Sequence, residues 1–177
     1  MSFYIVAKGK LTQIQFQYLE DNVPPHVEPT LLYGEKPKPK AHSTSDSKVD
    51  VYAIDVMTKN IHTLSPAATI LQAKRFMELK KVHHVPLLID HKLCGMISQR
   101  DIPENPDVFD REIRLDKVMA KLIVCASEYT PLRHVAEVFL KENINSMPII
   151  NDEFRLSGIV THRDLIRWLL ENEKFQK

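Results

Sequence analysis

Two short stretches carry most of the side chains that could do chemistry. One is Gly95-Met96-Ile97-Ser98-Gln99-Arg100-Asp101; the other is Gly158-Ile159-Val160-Thr161-His162-Arg163-Asp164. In each, a hydroxyl residue is followed three positions later by a carboxylate, with an arginine between them. Taken singly, that spacing approximates a helix-capping box, in which Asp reaches less well than Glu. Taken as a pair, it duplicates a hydroxyl, a guanidinium and a carboxylate, groups suited to holding a polar ligand.

The other reactive groups form weaker patterns. His83-His84, with His62, His91 and His162 as partners, invites a metal reading, but no HxxxH, HExxH or CxxC spacing accompanies them. Cys94 and Cys125 lie beside a strand glycine and within an apolar run, the places of buried structural thiols. A Cys–His nucleophile needs a geometry that sequence does not supply. Neither paired carboxylates for acid/base work nor a GxxxxGK[ST] phosphate loop occurs, which argues against P-loop hydrolysis. The expectation is a chain that is not an enzyme and needs no metal.

The elements that position the two heptads follow from a repeat. Met119 follows Met57 by 62 positions and Pro148 follows Pro86 by 62. Gly158 follows Gly95 by 63, so the second copy carries one extra residue near Phe154–Ser157. Each copy reads as strand–helix–strand–strand–helix. The opening strands are Ile61–Leu64 and Ile123–Ala126. The helices place Ile70, Ala73 and Met77, and then Leu132, Val135 and Phe139, on one face. Thr69 caps the first; Thr130 caps the second, with Pro131 at its first position. Val85–Ile89 and Met147–Ile150 are buried strands, joined through Asp90-His91-Lys92 and Asn151-Asp152-Glu153 to the heptad strands. Copy two closes with a helix over Leu165–Lys174, with Leu165, Trp168 and Leu169 on its apolar face. Pro103 and Pro106 interrupt the counterpart in copy one and leave a loop over Pro103–Asp110.

The expected division is an N-terminal appendage and linker over 1–48, a first repeat over 49–112 and a second over 113–177. Lys36–Lys48 lacks apolar periodicity and reads as an extended linker. Phe3–Val6 reads as a strand; Leu11–Leu19 fits a helix or a strand equally. The 177 residues are 44% hydrophobic and 27% charged, in the globular range, and the net charge of +1 gives no reason to expect a nucleic acid or an anionic membrane. No apolar run approaches the ~18 residues of a membrane span, and no signal peptide is evident. A cytoplasmic protein is expected.

The doubled pattern resembles a tandem of CBS domains, the modules named after cystathionine β-synthase. The likeness rests on Val56-Met57-Thr58 and Val118-Met119, Thr63 with Pro66, His84-Val85-Pro86, Met147-Pro148 and both heptads. It implies an α/β (α+β) pair with packed sheets, pseudo-two-fold symmetry and two clefts. It also implies binding of an adenosine-containing ligand (AMP, ADP, ATP or S-adenosylmethionine), regulation of a partner or of the chain's own assembly, and a homodimer formed through the helices. By the resemblance, Asp101 and Asp164 take the ribose hydroxyls, one to each carboxylate oxygen. Ser98, Thr161 and Thr63 contact ribose or phosphate, and Arg100 and Arg163 pair with phosphate. His84, Val85, Pro86, Ser146, Met147, Pro148 and His162 line the clefts. Cys125 stands where copy one has Thr63, so the two clefts are expected to differ. The rival expectation is a ligand-free scaffold in which both aspartates only cap helices.

Overall fold

The computed structural model describes residues 2–7, 10–19, 51–104 and 112–172. The Lys36–Lys48 linker, residues 105–110 of the expected loop after Pro103 and residues 173–174 of the expected last helix lie outside them. The elements run β1 (Phe3–Ala7), β2 (Lys10–Ile14), α1 (Ala53–Val56), α2 (Ile70–Lys80), β3 (His84–Ile89), β4 (Lys92–Ser98), α3 (Leu115–Val118), β5 (Leu122–Ser127), α4 (Leu132–Lys141), β6 (Ser146–Ile150), β7 (Leu156–Thr161) and α5 (His162–Asn172). Short 3₁₀ turns follow β2 at Gln17–Leu19 and β4 at Gln99–Asp101. The fold is mixed α+β; the helix–strand–strand order of α2-β3-β4 returns as α4-β6-β7, and copy two adds β5 and α5, which have no regular counterpart among the described residues of copy one.

Turn chemistry sets the two heptad hairpins apart. The β3–β4 turn is two residues, Asp90 and His91, both with positive φ, as a tight hairpin matched to strand twist requires. The β6–β7 loop is longer. Asn151 Oδ1 accepts from the backbone N–H groups of Glu153 and Arg155, each at 3.0 Å, and Phe154 takes φ 57°. The extra residue of copy two is absorbed there. Thr69 caps α2 as expected: its Oγ1 accepts from Gln72 N, and Gln72 Oε1 accepts from Thr69 N.

The structure corrects three expectations. Thr130 does not cap α4. Pro131 occupies the cap position, and the buried Thr130 hydroxyl lies 3.0 Å from Ser127 Oγ and donates to Ser2 O. Ile61–Leu64 is not a strand. Its ordered pairing is a single parallel bridge from Leu64 to Leu87. The reason is visible in copy two, where β5 pairs in parallel with β6 over only two residues but with β1 over five, Phe3↔Ala126 to Ala7↔Leu122. Among the described residues the copy-one segment has no outer neighbour, and its ladder bonds are too few to make it regular. Lastly, Leu165 packs on the core and Trp168 is half-buried. The exposed apolar face of α5 is Ile166, Leu169 and Leu170, offset by one residue from the expected one.

The N-terminal residues are part of the architecture. Leu11–Leu19 resolves as the strand β2 and a 3₁₀ turn, and β1–β2 form an antiparallel hairpin on the edge of the copy-two sheet. The sheet order is β2-β1-β5-β6-β7, with β3–β4 as a separate pair. Tyr18 closes the hairpin end by donating to Glu142 Oε1 at 2.9 Å. Burial first, then this acceptor, pushes the Tyr18 hydroxyl pKa well above its usual range.

Packing interlocks the repeats. Ala53 and Met57 join the copy-two core of Val135, Val138, Phe139, Met147 and Val160, whereas Leu115 joins the copy-one core of Ile70, Ala73, Met77, Val85 and Ile97. Each repeat's opening turn is therefore seated on the other repeat's body. Two backbone bridges hold the exchange, Thr58 with Ile159 and Met96 with Ala120. Glycine is required at the crossing points: a Cβ on Gly158 would overlap Met57 Sδ, and one on Gly95 would overlap Met119 Sδ. Two of the chain's four glycines thus mark where the repeats clasp.

Candidate functional site

Both heptads end as a strand turning into a helical start, and both aspartates fold back on that turn in the same way. Asp101 Oδ2 accepts from Ser98 N and Ser98 Oγ, each at 2.7 Å. Asp164 Oδ2 accepts from Thr161 N at 2.8 Å and Thr161 Oγ1 at 2.6 Å. One carboxylate oxygen therefore serves the cap. Among the described residues none hydrogen-bonds the other oxygen of either aspartate; Arg167 lies 3.9 Å from Asp164 Oδ1. Asp101 is exposed and Asp164 is buried, so the second carboxylate is the more desolvated and the better fixed.

The exchange of opening turns brings residues of opposite repeats together. Ser146, buried at the start of β6, places its Oγ 3.9 Å from Met96 Sδ on the first heptad. His84, at the start of β3, is paired with Ser98 across the hairpin and lies within electrostatic reach of Arg100, Asp101 and, from the other repeat, His162. The backbone repeats the symmetry. Gln99 N donates to His83 O, and His162 N donates to Asn145 O. The His162 ring meets Phe139 edge-on at 4.8 Å. Arg100 and Arg163 are exposed. Val85, Pro86, Met147 and Pro148 are buried, and Val85 and Met147 belong to the cores of their own repeats. Thr63 is half-buried and lines a surface depression with Leu64, Ser65, Leu88, Asp90 and His91.

One residue absent from the sequence-derived set stands out. Thr58 is exposed and bridged to Ile159, two positions before Thr161, so it adds a hydroxyl residue beside the second heptad. Its counterpart beside the first heptad is Ala120. The signal was legible as a difference between repeats at one offset, but only the crossing of the backbone says which heptad it concerns. The thiols are buried. Burial pushes Cys125 up to about 12 and raises Cys94 as well, which keeps both protonated and poorly nucleophilic. Among the described residues no three His, Cys, Asp or Glu side chains converge on a common point.

Burial lowers the pKa of His84, with His83 and Arg100 adding to the effect and Asp101 opposing it. Burial and then Arg133 lower His134, whose Nε2 accepts from Arg133 Nε at 3.2 Å. Both folded values lie below the ordinary ~6.5 of the unfolded chain. Between the two values the unfolded chain binds more protons, so stability is retained above about pH 6.5 and falls as pH drops through that range. The urea midpoint should decline from about pH 7.5 to 5.5, and a His84→Gln/His134→Gln variant should flatten that decline. A variant that follows the wild-type slope contradicts these assignments.

These are the features of a module built from two interlocked repeats, and the comparisons place it in a family. The CBS domain family model matches residues 53–104 and 114–171. The chain belongs to the CBS domain family. It is 32% identical over 116 residues to inosine-5′-monophosphate dehydrogenase of Methanocaldococcus jannaschii, a match that covers 65% of this chain and 23% of that enzyme. Among solved structures, the CBS domain pair of protein MJ0100 aligns with TM-score 0.63 and 26% identity over 70% of this chain and 98% of that one. It was solved in complex with 5′-methylthioadenosine and S-adenosyl-L-methionine. A putative acetoin utilization protein (AcuB) from Vibrio cholerae aligns with TM-score 0.64 and 28% identity over 73% of this chain and 99% of that one. The chain spans about a quarter of the curated enzyme relatives.

Proposed function

We propose that this chain is a regulatory sensor of an adenosine-containing ligand (AMP, ADP, ATP or S-adenosylmethionine) and acts by altering the association of the module with itself or with a partner protein. One observation carries the reading: each aspartate spends a single oxygen on its cap and, among the described residues, has no hydrogen bond at the other, with an arginine adjacent in sequence. The remaining oxygen of such a carboxylate, with its two lone pairs, can accept from the O–H groups of a ribose cis-diol, and Arg100 or Arg163 suits the phosphate. The ligand complex of the MJ0100 pair supports the ligand class. Nothing in this role calls for bond-breaking chemistry, and a cytoplasmic nucleotide pool would supply the ligand.

The apolar face of Ile166, Leu169 and Leu170 on α5 is the expected seam of a homodimer. A ligand shifts such an association only through its differential affinity for the two states. A charge-assisted hydrogen bond contributes about 1.5–3 kcal/mol, so loss of a ribose-binding aspartate should weaken binding at least about tenfold. Calorimetric titration of the four ligands into wild type, Asp101→Ala and Asp164→Ala reads this directly. Heat with one of the ligands, reduced in at least one variant, supports the proposal. Absence of heat with all four in the wild type rejects it in favour of a ligand-free scaffold.

A further inference from the structure

The N-terminal hairpin packs against only one of the two sides on which the repeats meet. On the first-heptad side, β5 of copy two lies against β4 of copy one, and Ile123 and Cys125 point into the space between them with Leu93 and Ile150. Tyr4 and Val6 of β1 fill that same cluster. Tyr4 is paired with Cys125 and Val6 with Ile123, so their side chains share the inward face of the sheet. The result is dry: Cys125 is 0% exposed, Val6 2% and Tyr4 8%. Tyr4 is held from its other side by an edge-on contact with Phe154 at 5.8 Å.

By the pseudo-symmetry of the repeats, Ile61 and Thr63 correspond on the second-heptad side to Ile123 and Cys125, and Thr63 lines the surface depression with Leu64, Ser65 and Leu88. Ile61 and Thr63 are only half-buried, and among the described residues no strand pairs with their outer edge. The same side carries the additional Thr58 beside Ile159 and the buried Asp164. The first side has Ala120 at the position of Thr58 and a thiol at the position of Thr63. Three independent differences therefore point the same way: an occupied apolar space, two missing hydroxyls and a less enclosed carboxylate at the first heptad.

We infer that the Phe3–Ile14 hairpin takes the place of a ligand's base in the first-heptad cleft, so that the chain holds one adenosine ligand, at the second-heptad cleft. The inference rests on the proposed ligand class and adds where and how many. A displaceable base and a covalently attached hairpin compete for one apolar space, and the attached group has the high effective concentration of an intramolecular partner. The hairpin's Phe3 is also buried in the copy-two core, where the half-buried Phe16 just past the hairpin meets its ring edge-on at 5.2 Å. Moving Tyr4 and Val6 out of the cleft would disturb that packing too.

The test uses the full chain with AMP, ADP, ATP and S-adenosylmethionine, each titrated to saturation, followed by amide hydrogen exchange with the tightest of them. The expected result is one molar equivalent bound, with slowed exchange in peptides spanning Thr58–Leu64 and Ile159–Asp164. Two equivalents bound, or slowed exchange at Ile123–Cys125 with faster exchange in β1, overturns the inference while leaving the ligand class intact. Zero equivalents of all four ligands overturns the ligand class itself, and this inference with it.

Discussion

Phe139→Ala is expected to lower the unfolding free energy by about 3–5 kcal/mol, the usual cost of emptying a buried aromatic site. Phe139 is 2% exposed on α4 and sits among Val135, Val138, Met147 and Val160, with Ala53 and Met57 arriving from copy one. The cavity would therefore open at the place where both repeats contribute to one core. Neighbouring helix and sheet cannot collapse into it without dragging the exchanged opening turn. The ring also braces His162 from the edge, so the variant should loosen the start of α5 as well. Urea unfolding checks the claim. A loss below about 1 kcal/mol would mean that the site repacks freely and that the clasp is weaker than described.

Gly158→Ala should cost about 1–3 kcal/mol, although alanine is a small addition in a strand. The new methyl would overlap Met57 Sδ and press on Met57 Cγ as well, so more than the flexible tip of the side chain must move. Met57 belongs to copy one and Gly158 to copy two, and the sequence alone places them 101 residues apart. Shortening the opposing chain by Met57→Ala should remove the overlap. A double-mutant cycle over the pair is then expected to show a non-additive term of at least about 0.5 kcal/mol, with the double variant less damaged than the two single losses combined. Additive losses would contradict the exchange of opening turns between repeats.

The repeat made much of this fold legible from its residues. Equal offsets between Met57 and Met119 and between Pro86 and Pro148 located matching elements, and the apolar spacing of Ile70, Ala73 and Met77 identified a helix face that is buried as expected. Local patterns failed where pairing decides the outcome. Ile61–Leu64 and Leu122–Ser127 have similar sequence character, yet only the latter is a strand, because only it gains β1 as a neighbour. The ambiguity of Leu11–Leu19 had the same origin, since an edge hairpin is fixed by the sheet it joins. Thr130 has the composition of a cap but spends its hydroxyl on Ser2 O, a partner 128 positions away.

The candidate site was legible in its parts and illegible in its assembly. Ser98 with Asp101 and Thr161 with Asp164 form the contacts that their spacing suggested. Which residues of one repeat serve which heptad depends on the crossed backbone at Thr58–Ile159 and Met96–Ala120. That crossing leaves no mark in spacing or composition. It is also why Thr58, noted only within Val56-Met57-Thr58, was not placed beside the second heptad, and why Val85 and Met147 are better described as core residues that hold His84 and Ser146 in place.

Native mass spectrometry of the full chain, with AMP, ADP, ATP or S-adenosylmethionine added in turn, addresses the adenosine-sensor reading most directly. The account predicts a complex whose added mass equals one adenosine-containing ligand, weakened in Asp164→Ala, whose removed carboxylate is the buried one. A chain that retains its bare mass with all four ligands, while still folded and cooperative in unfolding, would contradict it.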